Sequence, residues 1–311
     1  MGLSKIKWTD CTWNPVTGCT KISPGCQNCY AERMAKRLAG RAGYPKDKPF
    51  SVTLHPDRLD EPLKWKKPSR VFVCSMGDLF HEDVPGESIE QVLIYAAMCS
   101  YHTFLILTKR PERMGEIFAL WRNGLLRTPL AGDEEIAGAG YRWPLKNIWL
   151  GVTAENQEWF DKRWAYLKQI PAAKVFISYE PALGPVVLPS DFLERGNDAW
   201  VIAGGESGPG ARPMHPNWAR GLRDQCQAAG VPYFFKSWGE WAHATDYRKK
   251  VLCVYSDGRS IAFHRDDIMA EEKRSGLNHN DFNAMLMSRV GKKAAGRCLD
   301  EMEWDEIPEV R

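Results

Sequence analysis

The chain has 311 residues, 44% of them apolar and 26% charged, with a net charge of +3. Such a composition excludes a largely disordered chain, and so weak a basic excess does not by itself mark a nucleic-acid binder. No run of about 18 apolar residues occurs and the first residues lack an apolar signal core, so neither a membrane span nor export is expected. Nine cysteines stand at positions 11, 19, 26, 29, 74, 99, 226, 253 and 298. Their odd number and partial clustering favour metal binding over a disulfide framework.

Strand and helix signals alternate along the chain. A first strand is predicted at Lys7–Trp13, a helix at Cys29–Leu38, a short strand at Ser51–Leu54 and a stronger one at Arg70–Ser75. A helix at Ser88–Ser100 and a strand at Thr103–Leu107 follow, and Pro111 opens the next helix. Then come a strand at Asn147–Val152, a helix at Asn156–Ile170 and strands at Lys174–Ser178 and Trp200–Ala203. A helix at Pro216–Ala229, stopped by Gly230, precedes a strand at Val231–Phe235. This rhythm predicts an α/β fold, a partial (β/α) barrel over residues 1–242, with an insertion at 127–144. Residues 243–311 are predicted to form an appendage: a hairpin turning at Asp257-Gly258, a helical stretch, and a solvated acidic tail.

The sharpest local feature is the spacing C-x6-C-x2-C of Cys19, Cys26 and Cys29. Two cysteines three apart at a helix start can share one metal, and the third reaches back from a loop made flexible by Gly18 and Gly25. A structural zinc needs a fourth ligand, for which Cys11 or a distant His stands open. An iron–sulfur cluster with one iron left open needs only these three. A zinc deaminase is excluded, because no H-x-E motif precedes the cysteines.

The stretch GCTKISPGCQNCYAER, together with SMGDLFHEDVP, ILTKRPERM, WLGVTAEN, GGESGPGARP and VGKKAAGR, resembles the phage-encoded three-cysteine-motif family, itself similar to radical S-adenosylmethionine (radical SAM) enzymes. The resemblance implies a partial barrel of radical SAM type. It implies a [4Fe–4S] cluster on Cys19, Cys26 and Cys29, S-adenosylmethionine on the open iron, and an external electron donor. It also implies a modified nucleobase in phage DNA, a thymidine derivative, as substrate of an isomerase or lyase in the cytoplasm of a bacterial host. The sequence departs from the usual radical SAM spacing, C-x3-C-x2-C, and Asn28 rather than an aromatic residue precedes the last cysteine. A structural-zinc nucleic-acid-binding protein and a radical SAM repair enzyme are the alternative readings.

Within that framework Tyr30 is the candidate for adenine contact. Ser75, Met76 and Gly77 would present backbone groups to the methionine end of SAM, and Asp78 would accept its amino group, unless it serves as a cap. Thr108, Lys109 and Arg110 would hold a carboxylate or phosphate. Glu155 and Asn156 are candidates for ribose hydroxyls, with Asn156 equally suited to cap its helix. Glu180 would recognise ribose or substrate, and Gly204, Gly205 and Glu206 would admit a phosphate to backbone N–H groups. Lys236, Trp238 and Trp241 would neutralise and stack on a nucleotide-like substrate. Lys109, Glu180 and Lys236 are the strand-end charges expected to act on it. His55 and His81 are lesser acid–base candidates.

Overall fold

The computed structural model describes residues 4, 6–122, 143–244, 251–263 and 284–309. Nearly all of the 127–144 insertion and most of the helical stretch expected after the hairpin lie outside the described residues, and the end of that stretch, Ala284–Arg289, is a strand rather than a helix. The chain divides into two compact units, one of residues 1–153, 161–177 and 309–311, the other of residues 154–160 and 178–308.

In chain order the elements are β1 (Cys11–Trp13), β2 (Val16–Thr17), α1 (Tyr30–Leu38), β3 (Thr53–Leu54) and β4 (Arg70–Val73). They continue with α2 (Gly86–Met98), β5 (Thr103–Thr108), α3 (Pro111–Arg122), β6 (Ile148–Thr153), α4 (Gln157–Leu167) and β7 (Lys174–Tyr179). After α5 (Ser190–Leu193) come β8 (Ala199–Gly204), α6 (Pro216–Ala229) and β9 (Tyr233–Ser237). Last are β10 (Trp241–His243), β11 (Val251–Tyr255), β12 (Ser260–Phe263), β13 (Ala284–Arg289) and α7 (Lys292–Ala295).

The main sheet has seven strands in the order β1-β4-β5-β6-β7-β8-β9. The pairs β1–β4, β4–β5, β5–β6 and β8–β9 are parallel. Sequential parallel strands joined by helical crossovers are the topology of a partial (β/α) barrel, so the α/β expectation holds. The central strands β6, β7 and β8 are buried along their whole length, as continuous apolar runs covered on both faces should be.

In the first unit the core runs through Val71, Phe104, Leu105, Ile106, Leu150 and Phe176. The first strand is shorter than predicted. Trp8 is buried against Phe72, but Lys7 and Trp8 lie in a turn closed by Thr9 N on Ile6 O. The Thr9 hydroxyl bonds the Arg70 carbonyl, and Asp10 pairs with the Arg70 side chain. Strand β3 exists as predicted but pairs with β2 in a small separate ladder.

In the second unit, α6 starts at Pro216, with His215 Nδ1 accepting from Asn217 N, and stops at Gly230 in the left-handed region. A second sheet runs β10-β13-β11-β12, with the predicted hairpin as β11–β12. Its core is Ala244, Val251, Cys253 and Leu286.

The acidic end is not a solvated tail. Phe235 N donates to Trp304 O at 2.8 Å, and Asp305 forms an antiparallel bridge with Phe234. Trp200 Nε1 donates to Glu306 O, and Arg220 and Arg223 both hold Asp300. Asp300 thus answers cations that lie far away in sequence, which composition alone does not reveal.

Gly151 sits in β6 where an added Cβ would lie 2.5 Å from the Phe176 ring. An aromatic ring held among buried neighbours has little room to give. Gly151→Ala should therefore cost about 1–3 kcal/mol of stability in urea unfolding. The relieving double variant Gly151→Ala/Phe176→Leu should recover part of it.

Candidate functional site

In the first unit, the predicted cysteine loop joins β2 to α1, at the ends where β4 and β5 also finish. Cys19, Cys26 and Cys29 are free thiols and each is partly exposed. Gly18 enters the loop with φ +86°, and a Cβ there would meet Ser51 O at 2.1 Å, so only glycine fits. Gly18 N donates to Met76 O and Cys19 N to Phe50 O, which ties the loop to two neighbouring segments.

Asp78 is the hub of this end. It is 4% exposed and accepts from Thr108 Oγ1 at 2.7 Å, Lys109 N at 3.0 Å, Phe80 N at 3.1 Å and Arg110 Nη1 at 3.4 Å. A carboxylate offers about four acceptor positions. All four are used by the chain itself, so Asp78 orders the strand ends. Thr108 also accepts from Arg110 N. Ser75 Oγ and Met76 N both donate to Asn14 Oδ1, so this turn too is held from within the unit.

Arg110 spends its donors on the cysteine loop. Its Nη1 reaches Cys19 Sγ at 3.3 Å, its Nη2 reaches Thr20 Oγ1 at 2.7 Å, and its Nε reaches Glu82 Oε2 at 2.7 Å. His81 is fully buried. Its Nδ1 accepts from Asp83 N, which leaves the proton on Nε2, 2.9 Å from Thr20 Oγ1. Burial and then Arg110 hold the His81 pKa below the ordinary value, so it is a neutral clamp on the loop. His55 is likewise buried, bonded to Thr17 Oγ1 at 2.8 Å.

The thiols differ electrostatically. Burial, then the Asp78 charge, pushes Cys19 up to about 11 against the pull of Arg110. Burial raises Cys26 too, but Lys109 and hydrogen bonds from Ile22 and Ser23 outweigh it and lower its pKa overall. Lys109 Nζ also donates to Thr153 Oγ1 at 3.3 Å. Tyr30, at the start of α1, is 61% exposed.

The donor set suits a thiolate-bound metal: three free thiols on one short loop, with cations facing two of them. Among the described residues, no group of three His, Cys, Asp or Glu side chains is gathered closely enough to hold an ion. Cys11, the candidate fourth zinc ligand, lies in β1 and points to Arg70 O at 3.9 Å. Thiolate sites commonly close around the metal as it binds.

In the second unit, Glu180 and Lys236 form an ion pair, with Nζ 3.0 Å from Oε1 and 3.1 Å from Oε2. Gly204 borders it, since a Cβ there would lie 2.6 Å from Glu180 Oε1. Gly205 is needed for another close approach, because its Cβ would meet Trp238 O at 2.1 Å. Gly204 thus makes room for the Glu180 side chain, and Gly205 for the chain's own backbone. Glu206 is buried and takes three hydrogen bonds from Arg212. Asn156 Oδ1 accepts from Trp159 N and so caps α4. Glu155 is fully buried beside it. Trp241 is buried with Nε1 on Ala211 O, and Trp238 Nε1 is on Cys298 O. Sequence reasoning missed Asn14, Thr20, Glu82 and Thr153. Each is a single polar residue whose partner lies far along the chain, and only the HED stretch around Glu82 gave a local signal.

The Lys109 effect on Cys26 is measurable. At about pH 8, iodoacetamide should modify Cys26 several-fold faster than Cys19, followed by mass spectrometry under reducing, metal-free conditions. Lys109→Met should raise the Cys26 pKa and slow Cys26 several-fold, leaving Cys19 nearly unchanged.

Comparison with curated proteins gives no match. Among solved structures, a mutant of spore photoproduct lyase is similar at a TM-score of 0.37 and 15% identity, over 75% of this chain and 77% of that chain. A family described as a protein of unknown function, DUF5131, matches residues 3–308. That match spans nearly the whole sequence, and the chain belongs to the DUF5131 family.

Proposed function

We propose that this is a radical SAM-type enzyme in which Cys19, Cys26 and Cys29 hold a [4Fe–4S] cluster, and that its substrate is a modified nucleobase in DNA. One observation carries the reading: three free, partly exposed thiols on the loop after the first strands of a parallel sheet, with Lys109 and Arg110 acting on two of them. The motif resemblance in the sequence points the same way.

A [4Fe–4S] cluster held by Cys19, Cys26 and Cys29 would supply one-electron reductive cleavage of SAM, with an external reductant as the electron source, and thereby hydrogen-atom abstraction from the substrate. The chain's own residues prepare that event. Lys109 favours the thiolate of Cys26, and Arg110 offsets the cost of a thiolate at Cys19, where burial and Asp78 oppose it. Asp78, Thr108 and Thr20 fix Arg110, and so fix the loop that carries the ligands. In the second unit, the Glu180–Lys236 pair is the candidate for orienting substrate, because it is a polar group held at strand ends without a capping role. Rearrangement or cleavage of a base substituent fits hydrogen-atom abstraction.

Anaerobic reconstitution should give brown protein with about four irons per chain. Cys26→Ala should lose the colour, and reductant with SAM should release 5′-deoxyadenosine from the parent only. Colourless protein that retains zinc under the same treatment would sink this reading.

A further inference from the structure

The basic charge is concentrated in one segment. Residues 33–70 hold eleven Lys and Arg against four Asp and Glu, a net +7 in a chain whose total is +3. The remainder is therefore net acidic. This segment runs from α1 to the start of β4, directly after the cysteine loop and within the first unit.

Six of its cations are exposed and make no ion pair with a carboxylate among the described residues, and four of them, Arg37, Arg41, Lys46 and Lys48, lie on α1 and the loop that follows it. They are arranged locally. Arg41 Nη2 donates to Arg37 O at 2.8 Å, and Arg37 Nη1 lies 4.0 Å from Met34 Sδ. Tyr30 and Arg37 are seven residues apart on α1, two turns along one helix face, or about 11 Å. That spacing corresponds to about three phosphates of one strand along a duplex axis. Past α1 the chain turns back, with Gly40 N bonded to Tyr44 O and Ser51 N to Lys48 O. Phe50 O then accepts from Cys19 N at 3.2 Å. The cationic loop thus returns to the first cysteine, and Tyr30 adjoins the last. By contrast, Lys21 and Lys36 are both paired with Glu32 on another side of the helix.

We propose that α1 and the loop after it are the docking surface for a DNA strand, with phosphates along Arg37, Arg41, Lys46 and Lys48 and a base stacked on Tyr30. The proposal deepens the nucleic-acid reading above by giving it a surface. Exposed cations without carboxylate partners suit a polyanion, and an exposed tyrosine suits an unstacked base. Both lie next to the thiols, where a strand bound here would bring one nucleotide to the chemistry.

The test needs neither cluster nor SAM, so it can fail or succeed apart from the proposed reaction. Binding of a fluorescein-labelled single-stranded DNA to the full chain is followed by anisotropy over a salt series. The quadruple variant Arg37→Gln/Arg41→Gln/Lys46→Gln/Lys48→Gln should reduce the slope of log K against log salt by about 3. Lys162→Gln/Lys168→Gln, exposed cations elsewhere in the same unit, should leave it unchanged. Arg37→Lys/Arg41→Lys should retain the parental slope, and Tyr30→Ala should weaken binding about ten-fold with no change of slope. Absence of binding by the parent, an unchanged slope in the quadruple variant, or an equal loss in the Lys162/Lys168 control would each overturn the proposal. Matching thermal melts by circular dichroism separate loss of contact from loss of fold.

Discussion

A buried carboxylate with no water to rely on must be fully hydrogen-bonded by protein. Asp78 meets that demand with donors from its own turn and from the end of β5, and the order at the cysteine loop follows from it. Once Asp78 fixes the direction of Arg110, the guanidinium has its remaining donors aimed at Cys19, Thr20 and Glu82. The loop is therefore held in part by one cation that itself sits between two carboxylates, Asp78 and Glu82. The arrangement makes Cys19 and Cys26 unequal. Cys19 shares its surroundings with the Asp78 charge, while Cys26 is served by Lys109.

The two units use glycine and charge differently. In the first, Gly18 lets the cysteine loop run against Ser51, which couples the thiol segment to the basic segment. In the second, Gly205 and Gly239 let two backbones cross almost in contact, and Glu206 is consumed by Arg212. The first arrangement leaves thiols and cations at a surface. The second closes a loop on itself, leaving the Glu180–Lys236 pair as its remaining strand-end charge of interest.

Much of the fold was legible because the central strands are unbroken apolar runs, such as TFLIL and KVFIS, which are buried on both faces. The predicted first strand starts too early because Trp8 looks like a strand residue while Lys7 and Trp8 form a turn, after which Thr9 and Asp10 are anchored on Arg70. Strand β13, AMLMSR, escaped because Met and Ala carry little strand signal and its pairing with β10 and β11 is non-local. At the site, the cysteines were legible from spacing and the strand ends from polarity. The saturation of Asp78 and the burial of Trp241 were not, since each depends on partners about 30 residues away.

The strap formed by residues 299–306 has a consequence for the fate of the sheet as a surface. A parallel sheet that ends in an open strand offers a row of unpaired amides to any other extended chain. Here β9 is covered on that side, by Trp304 and Glu306 through the backbone and by Asp305 through a bridge. Its carboxylates are held by arginines, with Arg297 paired to Glu303 and Asp305. An acidic strap is a poor template for further strand addition, because a second such segment would meet like charge. The segment that reads as the most soluble part of the sequence thus serves as a guard against aggregation, sealing an edge that the crossover topology leaves exposed.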